Sequence, residues 1–142
     1  MMPLFEQALD TYPESVKVVF KHYPLSFHKK ALSAALASFA AAEQGKFWEY
    51  HDELFVNQSS LSNQKYMEIA RDIGLDQEKF SKDFLRPSLR KKVELDLEDG
   101  KKAGVTGTPT VFVNGRRLTK RNFATLKEMI DEELNRIKNA IN

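Results

Sequence analysis

The chain has 142 residues and not one of them is cysteine. It therefore supplies no thiolate, no disulfide and no Cys-ligated zinc. Its histidines are His22, His28 and His51. Three imidazoles are enough to hold a metal ion and activate a water. The spacing argues otherwise, because the i, i+4 pair of a helical zinc site is missing. His22 follows a strand-like stretch, His28 opens a helix, and His51 lies on an apolar stripe with Trp48 and Phe55. A core or half-buried role is the ordinary reading of His51, and no metal or other cofactor is expected.

Other chemistries fare no better. No G-x-S-x-G elbow surrounds any serine, so Ser59 and Ser60 read as loop and Ser62 as a helix cap. Gly104 and Gly107 precede a strand and lack the Lys-Ser/Thr of a phosphate loop. Glu94, Asp96, Glu98 and Asp99 sit among Arg90, Lys91, Lys92, Lys101 and Lys102. They read as a solvated helix face with weak local ion pairs. Arg116, Arg117, Lys120 and Arg121 form a basic patch without interleaved aromatics. That reads as a hairpin tip and not as a nucleic-acid surface. The net charge of +2 gives no global pull toward polyanions. No apolar run approaches the roughly 18–20 residues of a membrane span. The opening "MMPLFEQALD" has no basic stretch followed by an apolar one, so no signal peptide is expected there.

One segment remains, "GVTGTPTVFVNG" at 104–115. A Gly/Thr loop runs through Pro109 into a β-branched stretch and ends on Asn-Gly. An X-Pro bond costs only about 0.5–1 kcal/mol in cis, and Pro removes a backbone donor. The backbone of Thr108 is then left open to an extended peptide. A turn proline at an edge strand is the plainer alternative.

The elements that must hold this loop can be read from spacing. Residues 1–12 read as the end of a helix, with Leu4, Phe5, Ala8 and Leu9 on one side and Tyr12-Pro13 as the stop. "SVKVVFKHYP" at 15–24 alternates like a strand covered on both faces. Residues 26–103 read as helical in several pieces. Stripes start at Leu32, Phe47 and Tyr66, Gly74 closes the third, Asp76 caps the next, and Pro87 opens a longer helix up to Gly104. "TVFVNGRRL" at 110–118 reads as two strands around an Asn114-Gly115 turn. Phe123, Leu126, Ile130, Leu134, Ile137 and Ile141 mark a long amphipathic helix. One strand and a hairpin make a poor sheet, so a strand is missing.

In this order the chain resembles the DsbA-like branch of the thioredoxin superfamily. The likeness rests on "VKVVFKHYPLSFHKKA" (16–31), "AAEQGKFWEYHDELF" (41–55) and "GVTGTPTVFVNG" (104–115). The fold it implies is α/β and thioredoxin-like with a helical insertion, the first strand being absent from the chain. Residues 1–25 and 104–142 would form a partial thioredoxin-like domain, and 26–103 the insertion. The resemblance implies thiol–disulfide exchange on protein substrates, an extracytoplasmic setting, and a cis bond before Pro109 in a loop formed by Gly107, Thr108 and Pro109 that docks substrate. The family's C-x-x-C is not in this chain. Pro3 matches a proline that follows it in relatives. The chain is therefore expected to be inactive in exchange as it stands. A non-catalytic peptide-binding module, or one that dimerises or swaps a strand, is the alternative. Relatives resembling glutathione transferases, with Ser in place of Cys, are a third and weaker reading. Neither nucleic acid nor membrane is expected as a partner.

Overall fold

Ser62 and Asp76 show how locally much of this fold is written. In the computed structural model, which describes residues 1–141, the Ser62 side chain accepts from the Lys65 N–H and opens helix α4. The Asp76 carboxylate accepts from the Lys79 N–H at 2.8 Å and opens α5. Between them Gly74 has φ of +78° and lets the chain leave α4 in the left-handed conformation. The Leu75 N–H then reaches back to the Ala70 carbonyl, a closing bond typical of such caps.

The helices in chain order are α1 (Met2–Thr11), α2 (Ala31–Ala42), α3 (Phe47–Val56), α4 (Asn63–Asp72), α5 (Gln77–Phe84), α6 (Pro87–Lys102) and α7 (Phe123–Ile141). A short 3₁₀ turn covers Gln58–Ser60. The strands are β1 (Phe112–Val113) and β2 (Arg116–Arg117), an antiparallel pair. The chain divides into two units: Met1–Phe20 with Val105–Asn142, and Lys21–Gly104.

The second unit is a helical assembly built around α2. Its sequence, "ALSAALASFAAA", is rich in alanine, so neighbouring helices approach it closely on several sides. Helices α3, α4, α5 and α6 all pack on it. Tyr50, Tyr66, Phe80, Leu89 and Val93 are fully buried there. The Tyr50 hydroxyl donates to the Tyr66 carbonyl at 2.9 Å, which satisfies the one polar atom of that side chain. Burial pushes the Tyr50 phenol well above its usual pKa, so it stays protonated.

The first unit packs α1 on α7 and lays the hairpin against α7. Ala8, Leu118, Leu126, Met129 and Ile130 form its core, with Val16, Val111 and Val113 packed against them. An isolated two-stranded hairpin is marginal in water. Here Glu133, buried on α7, accepts from Arg116 at 3.2 Å and from Arg136 at 3.0 Å. Arg116 also reaches Glu132 at 2.6 Å. These charge-assisted bonds clamp the hairpin tip onto α7.

Two expectations need correction. Residues 15–24 form no strand, although Val16 and Val18 are half buried while Lys17 and Val19 are exposed. A strand needs a ladder partner, and among the described residues the only ladder is β1 with β2. The second correction is Asp96. It does not belong to a solvated face but is 9% exposed. It continues the apolar row Leu89, Val93 and Gly100 of α6, and it binds the segment that begins at Lys21.

Candidate functional site

The loop at Gly107–Thr110 is held at both ends. Upstream, Gly104 takes φ of +73° and ends α6. Downstream, the Leu118 N–H donates to the Val111 carbonyl at 2.9 Å and extends the hairpin by one pair. Within the loop, the Thr110 hydroxyl donates to the Gly107 carbonyl at 2.7 Å and closes a tight turn around Thr108 and Pro109. The Thr108–Pro109 bond is cis.

Gly107 is half buried, and Thr108 and Pro109 are exposed. Among the described residues, neither the N–H nor the C=O of Thr108 makes a hydrogen bond. The loop thus presents one backbone donor and one acceptor to solvent, with no ionisable side chain among Gly107, Thr108 and Pro109. Its only hydroxyls are those of Thr108 and Thr110, and its own side chains include no acid or base to activate them. It can pair with the backbone of an extended chain.

The histidines do not converge into a metal site. No group of three or more His, Asp or Glu able to hold a metal ion occurs among the described residues. His28 is exposed in the turn before α2. His51 is buried, with Phe55 at 4.8 Å and Trp48 at 5.5 Å between ring centroids, and its Nδ1 meets Asp52 at 2.9 Å. This is the core histidine its spacing predicts.

His22 is a second buried histidine and has the outward look of catalytic machinery. Its Nε2 lies 3.0 Å from the Ser38 hydroxyl, and Asp96 is close by. The bonding shows otherwise. Asp96 Oδ2 accepts from the backbone N–H of His22 at 2.9 Å. The Ser38 hydroxyl also donates to the Ala35 carbonyl at 2.9 Å and is 1% exposed, out of reach of any substrate. The contact thus joins a buried imidazole to a hydroxyl that already serves a helix carbonyl. Burial pushes the His22 pKa down to about 4, and the charge on Asp96 only partly opposes this. His22 is therefore a neutral structural ring, stacked edge-on to Phe39 at 4.5 Å.

Sequence reasoning missed the anchoring of residues 21–23 on α6. Asp96 holds the His22 amide, and Lys21 Nζ reaches Asp96 Oδ1 at 3.1 Å and Asp99 at 3.0 Å. Gly100 lies against the Tyr23 ring, where an added Cβ would sit 2.6 Å from a ring carbon. The available signal was the row Leu89, Val93, Asp96 and Gly100, in which a carboxylate and a glycine hold positions otherwise occupied by apolar side chains.

With this geometry established, known proteins place the chain. It matches the family described as Thioredoxin over residues 2–132. It is 38% identical over 107 residues to a Na(+)/H(+) antiporter NhaA of Herminiimonas arsenicoxydans, covering 75% of this chain and 17% of that protein. It is 39% identical over 104 residues to Na(+)/H(+) antiporter NhaA 3 of Salinispora tropica, covering 72% and 16% respectively. The chain thus spans about a sixth of the length of these relatives. No helix among the described residues is long and apolar enough to cross a membrane. The crystal structure of a thioredoxin-like oxidoreductase from Silicibacter pomeroyi DSS-3 superposes with a TM-score of 0.75 at 23% identity, covering 94% of this chain and 77% of that one. At that identity the likeness speaks for the fold, which is thioredoxin-like, mostly helical, with a two-stranded sheet. Family match and fold agree, and the chain belongs to the thioredoxin family.

Proposed function

We propose that this chain serves a disulfide-exchange system by docking extended polypeptide at Thr108 while supplying no thiol of its own. The observation that supports this most is the exposed, unbonded backbone of Thr108 beside Pro109. Thiol–disulfide exchange needs a thiolate attacking a disulfide sulfur. Without cysteine, this chain can neither attack nor be attacked. Its part is recognition of backbone shape, with little demand on the sequence of the bound segment. Any sulfur chemistry then occurs between groups on other polypeptides or segments.

The test is a nuclear magnetic resonance titration with reduced, carboxymethylated insulin B chain as the unfolded probe. The Thr108 amide is expected to shift and to exchange more slowly with solvent. Shifts that leave Thr108 and Thr110 unmoved at saturation would refute the docking role. An insulin-reduction assay is expected to give no turnover by this chain, and measurable turnover would overturn the thiol-free reading.

A further inference from the structure

A carboxamide followed by glycine can react with its own backbone. The nitrogen of the glycine lies one peptide unit from the side-chain carbon, and its attack there closes a five-membered ring. Glycine has no Cβ to hinder that approach. Asn114 is the only asparagine of this chain that glycine follows. Both Asn114 and Gly115 are exposed, and the Gly115 N–H makes no hydrogen bond among the described residues. Asp99-Gly100 offers the related chemistry of a carboxyl group, but it lies within α6, where the helical ladder engages the Gly100 N–H.

What opposes ring closure at Asn114 is the hairpin itself. Asn114 has φ of +45° and Gly115 of +83°, the signature of a type I′ turn. Closure needs rotation about the Asn114 Cα–C bond, and the pairing of Val113 with Arg116 across the turn fixes that bond. Arg116 is fixed in turn by Glu132 at 2.6 Å and Glu133 at 3.2 Å on α7. The reaction therefore waits on moments when this clamp opens.

We infer that Asn114 is a site of spontaneous deamidation, gated by the clamp between the hairpin and α7, and that the product releases the hairpin from α7. In the first step the bond from the Gly115 nitrogen to Asn114 Cγ forms and the Cγ–Nδ2 bond breaks. Ammonia leaves with the proton of the Gly115 nitrogen. Water then opens the cyclic imide. Its attack at the side-chain carbonyl gives aspartate, and at the main-chain carbonyl isoaspartate, whose backbone is one methylene longer. Nothing is oxidised or reduced.

Both products work against the clamp. Asn114 Nδ2 is a donor 3.5 Å from Glu133 Oε2. Glu133 is buried, and the hydrogen bond from Arg116 holds its carboxyl below the usual range, so it is charged. Conversion replaces the donor with a second carboxylate, beside a charge whose arginines are already engaged. Isoaspartate goes further, because its extra methylene ends the two-residue turn that sets Phe112 opposite Arg117. The same hairpin holds the downstream end of the loop at Gly107–Thr110 through the Leu118–Val111 bond. The inference does not rest on docking of polypeptide at Thr108.

The test is incubation of the full 142-residue chain at mildly alkaline pH, which deprotonates the Gly115 nitrogen more often, followed by peptide mapping with mass spectrometry. Asn114 should convert to the acid about tenfold faster than Asn57 and Asn63, which glutamine follows. Arg116→Ala opens the clamp and should speed conversion of Asn114 about tenfold, with Asn57 and Asn63 at their parental rates. Arg116→Lys keeps the charge, loses the fork and should fall between, and it decides the matter if the alanine variant does not fold. Gly115→Ala also loosens the turn, yet it should slow conversion about tenfold because its Cβ hinders the attack. In the converted chain the Leu118 amide should exchange about tenfold faster, while Ile130 on α7 keeps its protection. Equal rates at the three asparagines would overturn the inference. So would Arg116 variants that convert no faster than the parent, or a converted chain whose Leu118 amide exchanges as before.

Discussion

Replacing Asp96 separates two descriptions of α6, one with a solvated acidic face and one with a buried anchor. Asp96 is 9% exposed, and its Oδ2 accepts from the buried His22 N–H at 2.9 Å. Its Oδ1 lies 3.1 Å from Lys21, whose side chain is 57% exposed. The Lys21 pair contributes little, about 0–1 kcal/mol, because water screens it and Asp99 at 3.0 Å can replace it. The amide bond matters more. A hydrogen bond to a charged acceptor is worth about 1.5–3 kcal/mol, and its loss leaves a buried donor unpaired. Asp96→Ala should therefore destabilise the second unit by about 2–4 kcal/mol. Asp96→Asn keeps an acceptor oxygen in place and should cost about 1 kcal/mol. Glu98→Ala, on the exposed side of the same helix, should stay within about 0.5 kcal/mol of the parent.

Trp48 is the only tryptophan and lies on α3 of that unit, so its fluorescence follows the relevant transition in urea. The comparison is made on midpoints at constant m, because a change in m would signal a change in the states themselves. If Asp96→Ala matches Glu98→Ala, the buried anchor is wrong. If the Ala and Asn variants cost the same, the loss comes from the charge, and the argument from the amide bond fails.

Three further outcomes follow from the same structure. Gly100→Ala should gain about 1 kcal/mol from helix propensity but lose more to the Tyr23 ring, for a net loss of about 1–2 kcal/mol; in a Tyr23→Ala background the sign should reverse, as urea titration of both variants would show. His22 has a folded pKa of about 4 against an unfolded value of 6.5, so the unfolded chain binds the extra proton between these values. Stability should be full above about pH 6.5 and fall by about 3 kcal/mol as pH drops through 4, and His22→Gln should flatten that slope between about pH 6.5 and 4.5 in urea titrations. Gly115 has φ of +83°, so Gly115→Ala should destabilise the hairpin by about 1 kcal/mol, read as faster exchange of the Leu118 amide.

What could be read in the sequence is what a few neighbouring residues decide. Ser62 and Asp76 cap helices through bonds to residues three positions on, and Asn114-Gly115 takes the two positive φ angles of a tight turn. The stripe from Phe123 to Ile141 becomes α7 because its period is that of a helix packed on one side. Residues 15–24 have equally good strand propensity, but a strand is completed by its neighbour, and propensity cannot supply one. Asp96 was misread for the reverse reason. Its charged neighbours suggest water, whereas its place in the row with Leu89 and Val93 fixes it inside.

The same distinction governs the candidate site. Gly107, Thr108 and Pro109 stood out in the sequence because loop chemistry is local, and the structure adds that the Thr108 backbone is exposed and unbonded. Binding through backbone groups has a definite consequence for side chains. Thr108→Ala leaves the donor and the acceptor in place and should bind extended polypeptide about as well as the parent. Thr108→Pro removes the donor and should bind it less well by about 1 kcal/mol, the net worth of one neutral hydrogen bond. Had the site worked through the threonine hydroxyl, both variants would lose it, and Thr108→Ala would bind as weakly as Thr108→Pro. A titration of both against the same unfolded probe therefore decides whether this cysteine-free chain recognises its target by backbone or by side chain.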